Sequence, residues 1–190
     1  MIGYFVLSYF IGNIMTGYFI VRGFGKQDIR KQGSGNVGAR NAGRLYGKSA
    51  FFLTFLGDAG KGALVIILAR LLHFSVEIQL IGLAIAIIGH LKPMMLMFKG
   101  GKGISTFIGG MVAFDPFLVP VMIPGFLLFY LLTKSATLAG LGSFLLIPAF
   151  FLYQNHSLVS CLTIVIILCL IYMAHYENIF ERLKKHERKK

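Results

Sequence analysis

Three short stretches of this chain carry groups suited to handling phosphate. The first is Gly33-Ser34-Gly35-Asn36-Val37-Gly38-Ala39-Arg40-Asn41. The second is Phe98-Lys99-Gly100-Gly101-Lys102-Gly103, and the third is His175-Tyr176-Glu177-Asn178, running on to Arg182. Glycine at this density lets the backbone turn sharply and aim several N–H groups into one concavity. A helix starting just after such a turn adds the positive end of its dipole. Arg44 offers a planar fork for phosphate, and Lys102, hemmed in by glycine, a point charge. Ser34, Asn36 and Asn41 supply neutral hydrogen bonds. Lys99 reads equally well as an anchor at a membrane surface. His175 and Asn178 are three residues apart, hence on one face of a helix, and His175 can accept or relay a proton near neutral pH. The set predicts an enzyme acting on phosphorylated substrates.

These stretches interrupt a chain that is otherwise membrane-soluble. Of its 190 residues 56% are hydrophobic, there is no tryptophan, and the apolar residues come in blocks too long for a soluble core of this size. The pattern predicts an all-α, polytopic membrane bundle forming one domain, with spans near 2–21, 50–72, 77–91, 104–114, 117–133, 137–153 and 158–174. The net charge of +12 sits between and after these blocks, as in cytoplasmic loops. It therefore argues for anionic lipids and substrates over nucleic acid. With seven crossings, Arg22, Lys26, Arg30, Lys31, Arg40, Arg44 and Lys48 fall on one side, together with Lys92, Lys99, Lys102, Lys134 and the basic tail from Arg182. The positive-inside rule makes that side cytoplasmic. The N-terminus is then outside, the C-terminus inside, and Asp115-Pro116 an external turn. The Met1–Val21 block has its first cation after the apolar run, which favours a retained span over a cleaved leader. Met94–Phe98, too short to cross, reads as an interfacial or re-entrant segment that returns Lys99 and Lys102 to the membrane surface.

Other polar residues are open to more than one reading. Asp58 and Lys61 are three apart within a span, where ionisable groups are costly and are paired or functional. His90 ends a span before Pro93, which stops that helix, and reads first as structural. His73, His156 and His186 have no polar company. Cys161 and Cys169 are about 12 Å apart along a helix, too far for a disulfide. Gly43-Arg44-Leu45-Tyr46-Gly47-Lys48-Ser49 approaches a P-loop but has one residue too few between its glycines and no preceding strand. No metal motif and no Gly-x-Ser-x-Gly elbow occurs. No histidine has an aspartate five residues later, which sets aside the His-x4-Asp acyltransferases.

Taken together, Gly33-Ser34-Gly35-Asn36 with Asn41, Asp58-x-x-Lys61-Gly62, Gly89-His90 through Pro93 to Phe98-Lys99-Gly100-Gly101-Lys102-Gly103, and His175 with Asn178 and Arg182-Leu183 resemble the bacterial acyl-phosphate:glycerol-3-phosphate acyltransferases. The resemblance covers nearly the whole chain. It implies acyl transfer from acyl phosphate to the 1-hydroxyl of glycerol 3-phosphate, giving lysophosphatidic acid and phosphate, without cofactor or metal. It implies Ser34, Arg44, Lys102 and His175 as catalytic residues, and Gly35, Asn36, Asn41, Gly101, Gly103 and Asn178 as substrate-binding ones. The implied setting is the bacterial cell membrane, with the site facing the cytoplasm and a soluble enzyme supplying acyl phosphate. Two positions depart from the family pattern: Arg40 stands where threonine is usual, and Tyr176 where a basic residue is. These departures leave a paralogue of altered specificity or without catalysis as the alternative. A transporter of a phosphorylated solute is a further one, and it would need paired interrupted helices in two related halves.

Overall fold

A backbone in hydrocarbon must satisfy its own N–H and C=O groups, and a helix does so within one segment. In the structure, a computed structural model, the described residues form helices and 3-10 turns without a strand. They comprise residues 1–25 and 27–187. The side chains of Asn178 and of 181–187 lie outside the described residues, as do Lys26 and 188–190, so the predicted contributions of Asn178, Arg182 and the basic tail fall there too. Among the described residues, five stretches are long and apolar enough to cross a membrane: Ile2–Gly25, Ala39–Leu71, Val76–Leu96, Ala136–Tyr153 and Leu158–Glu177. Ile104–Phe114 and Leu118–Thr133 are shorter apolar helices. This is a multi-pass helical membrane protein.

The helices fall into two compact units, Met1–Pro116 and the remainder from Phe117. In the first unit the expected single span over 2–21 is two helices, α1 (Ile2–Asn13) and α2 (Thr16–Gly25), broken at Ile14, whose φ is −67° and ψ 104°. Hydropathy carries no trace of this break, because the carbonyls it frees at Gly12 and Ile14 are satisfied from far along the chain, by the ammonium of Lys61 at 3.1 and 2.7 Å. Next, α3 (Ala39–Leu71) starts eleven residues before the expected span and bends at Tyr46 and Gly47. Gly47 adopts φ 80° and ψ −172°, a region that side-chain-bearing residues rarely enter.

Beyond this, α4 (Val76–Leu91) ends at Pro93 and a 3-10 turn at Met94–Leu96 follows, the segment expected to be interfacial. The unit closes with α5 (Ile104–Phe114). Glycines set how closely these helices meet. A Cβ on Gly62 would overlap the carbonyl of Thr106, one on Gly109 the backbone of Ala59, and one on Gly12 the carbonyl of Ala86. Such contacts bring backbones together where lipid offers no hydrophobic drive to pack. Arg70 donates to the carbonyl of Phe114 at the far end of the α3–α5 pair.

The second unit holds α6 (Leu118–Thr133), α7 (Ala136–Phe144), α8 (Leu146–Tyr153) and α9 (Leu158–Glu187). Gly142 leaves room for the Phe129 ring, and Tyr172 on α9 donates to the carbonyl of Leu141 on α7 at 2.6 Å. Cys161 and Cys169 are free thiols, the first buried and the second exposed.

Candidate active site

The first glycine stretch is a constructed loop. Gly33 and Gly35 take φ of 57° and 70°, and the amide of Gly35 donates to the carbonyl of Gln32 at 2.9 Å. Asn41, buried at the start of α3, closes the loop: its Oδ1 accepts the amide of Ser34, and its Nδ2 donates to the carbonyls of Gln32 and Asn36, all at 3.0 Å. Only glycine fits at position 33, where a Cβ would run into Asn41 Oδ1. The amides of Ser34 and Gly35 are thus spent within the loop and do not point to a ligand. What the loop offers outward is side chain: Ser34 and Arg44 are exposed and Asn36 is half-buried. Below it, Met15, Val21, Ile29, Val37, Ala42, Ala50 and Leu96 form an apolar cluster that fixes its height.

The second stretch is held from beneath. The amide of Gly101 donates to the carbonyl of His90 at 3.0 Å. Any Cβ on Gly100 would overlap that same carbonyl, and one on Gly101 would overlap the His90 ring at Nε2. Gly103, at φ 83°, turns the chain into α5. The cap residues of α3 and α5 are glycines, Gly38 and Gly103, which bring no side chain of their own to the first amides. The first amides of a helix have no acceptor within it, so each glycine loop delivers the chain to an electropositive helix end.

Arg30 ties the two loops. Its Nη1 donates to the carbonyl of Leu96 at 3.0 Å, while Nε and Nη2 donate to the Asp28 carboxylate, the shortest contact being 2.6 Å. The hydrogen bonds from Arg30 hold the Asp28 carboxyl below its usual range, and Asp28 in turn raises the guanidinium. Tyr18 lies under the same guanidinium, 5.6 Å from ring centre to Arg30 Cζ. Sequence reading counted Arg30 only as a topogenic charge and passed over Asp28. The one available signal was an acidic residue two positions from an arginine in a chain poor in acids.

In the second unit, His175 is buried on α9, with Nδ1 2.8 Å from the carbonyl of Ile171. A carbonyl only accepts, so Nδ1 carries a proton. Asn178 is on the same helix three residues on.

Residues 2–185 match the family described as glycerol-3-phosphate acyltransferase. The chain belongs to that family. It is 42% identical over 174 residues to glycerol-3-phosphate acyltransferase 1 of Bacillus anthracis, covering 92% of each chain. The fold is similar to crystal structures of PlsY (YgiH), an integral membrane glycerol 3-phosphate acyltransferase. The match to its glycerol 3-phosphate form has a TM-score of 0.88 at 28% identity, covering 97% of this chain and 92% of that one. For its lysophosphatidic acid form the TM-score is 0.86 at 27% identity, with the same coverage. For a glycerol-3-phosphate acyltransferase the first unit is chemically apt, since cations and helix ends suit phosphate. Ser34, Asn36, Arg44, Lys102 and both glycine turns belong to the first unit, and His175 and Asn178 to the second.

Proposed function

We propose that the protein is an acyl-phosphate-dependent glycerol-3-phosphate 1-O-acyltransferase of the bacterial cell membrane, crossing it seven times as a single functional domain. The N-terminus lies outside, and the active site and C-terminus face the cytoplasm. The carrying observation is that two glycine turns, tied together through Arg30 and Leu96, each lead through a glycine cap into a helix N-terminus. Two phosphorylated substrates need two such places. The PlsY structures, named for their glycerol 3-phosphate and lysophosphatidic acid forms, support glycerol 3-phosphate as acceptor here.

In this reading Arg44 and Lys102 hold phosphates, Ser34, Asn36 and Asn178 orient the substrates, and Gly101 and Gly103 shape the second turn toward phosphate. Asn41 and Gly35 shape the first loop. The 1-hydroxyl oxygen attacks the acyl carbonyl carbon, and its proton passes to Nε2 of His175. The bond from carbonyl carbon to phosphate oxygen then breaks, phosphate leaving with the electron pair. Because phosphate leaves readily, holding the hydroxyl and the carbonyl in register contributes most of the rate. Backbone amides stabilise the tetrahedral oxyanion. The acyl chain stays among the spans, and a soluble enzyme that makes acyl phosphate supplies the donor.

Purified protein in lipid, given glycerol 3-phosphate and either palmitoyl phosphate or palmitoyl-CoA, tests the reading. Equal lysophosphatidic acid and phosphate from the acyl phosphate alone, lost in Lys102→Ala, is expected. Product from the thioester alone overturns the donor assignment, and no product from either donor favours a paralogue without catalysis.

A further inference from the structure

The most costly groups in the first unit are the buried charges of α3, and the expected phosphate contacts do not account for them. Asp58 and Lys61 pair at 3.1 Å with side chains 1% and 4% exposed. Lys61 has three protons and three acceptors: the carbonyls of Gly12 and Ile14, freed by the break between α1 and α2, and Asp58 Oδ1. An ammonium at the carboxyl end of α1 is favourable, which explains Lys61. Asp58 remains. Its carboxylate is paired with the Lys61 ammonium and meets the side chain and backbone amide of Thr16 at the start of α2, so its partners are within the fold. Beside this group lies His90, whose Nδ1 is 3.9 Å from Asp58 Oδ1, beyond hydrogen-bond reach, and 3.4 Å from Thr106 Oγ1, which bonds it.

From the opposite edge of the same ring, Nε2 occupies the space a Cβ on Gly101 would need, and the His90 carbonyl receives the Gly101 amide. His90 is therefore held on one side by Thr106 in the first turn of α5, and supports the second glycine turn on the other. We propose that His90, held through Nδ1 by Thr106, is a positioning residue that sets the Gly100–Gly103 turn against the phosphate it holds. The inference rests on that turn being a phosphate site. The role passes through the turn and not through the reacting atoms, so it falls on the binding of one phosphorylated substrate.

Steady-state kinetics of His90→Ala, Gly101→Ala, the double variant and Lys102→Ala, each with glycerol 3-phosphate and palmitoyl phosphate varied in turn, test the proposal. His90→Ala is expected to raise KM for one of the two substrates about tenfold, leaving kcat within about threefold. Gly101→Ala, which displaces the ring, raises the same KM. In the double variant the new methyl fills the vacated ring space, so its KM falls below that of Gly101→Ala. Wild-type constants in His90→Ala beside an impaired Lys102→Ala overturn the positioning role alone. Wild-type constants in Lys102→Ala overturn the phosphate reading of the turn, and the positioning role with it. A fall in kcat with both KM values unchanged also overturns it. If His90→Ala does not fold, Gly101→Ala decides: folded protein with unchanged KM overturns the proposal.

Discussion

In the proposed mechanism Lys102 and His175 take different kinds of work. Lys102 contributes charge at the end of a glycine turn, and Lys102→Ala is expected to lower kcat/KM by about 10²–10³, the usual effect of removing one preorganised electrostatic contact. His175 Nδ1 is held by a carbonyl of its own helix at 2.8 Å, and in the proposed mechanism Nε2 takes the hydroxyl proton. His175→Ala should therefore leave KM for both substrates near wild type while kcat drops about 10²–10⁴-fold, as for loss of a general base. A pre-steady-state measurement of acyl transfer separates this from slow product release. An unchanged single-turnover rate would remove the base assignment. Asn41 acts differently again. With its acceptor and both amide hydrogens engaged in the first loop, Asn41→Ala is expected to destabilise the loop, and tryptic cleavage after Arg40 and Arg44 should quicken.

At the level of elements, the first loop, the Met94–Leu96 turn and the α3–α5 pair decide where the cradles stand. Arg30→Met removes the hydrogen bond to Leu96 and should cost about tenfold in kcat/KM, the worth of one charge-assisted hydrogen bond. The Asp28 carboxyl has a pKa below its unfolded value of 3.8. Its contribution is therefore present above that value and is lost as pH falls through the depressed one. Asp28→Asn should lower the melting temperature by a constant amount from pH 5 to pH 8, with the difference closing in stronger acid. A difference that grew between pH 5 and 8 would contradict this. On the helices, a side chain on Gly62 or Gly109 meets backbone on the partner. Gly62→Leu is expected to cost about 1–3 kcal/mol or more, read as a lower melting temperature in detergent.

The whole molecule is legible through charge. With Cys161 and Cys169 replaced by alanine, a cysteine introduced at Asp115 or Asn155 should react with an impermeant reagent from outside, and one at Lys48 or Lys134 only from the cytoplasm. Labelling of Asp115→Cys from the cytoplasm alone would rule out the split of 104–133 into two crossings. Composition and spacing alone determined a helical, multi-pass chain, a phosphate-handling function and the residues of its glycine turns. Those properties are local: apolar length sets a span, loop cations set a side, and glycine sets what a backbone can do. The break at Ile14, the closure of the first loop by Asn41, the Arg30 link to Leu96 and the His90 ring under Gly101 were decided by the tertiary structure. Each joins groups between 5 and 66 positions apart. Residue type and near-neighbour spacing hold no record of which distant carbonyl a cation or amide will meet. A buried polar atom must find its partner in the fold, and only the packed helices say which one it finds.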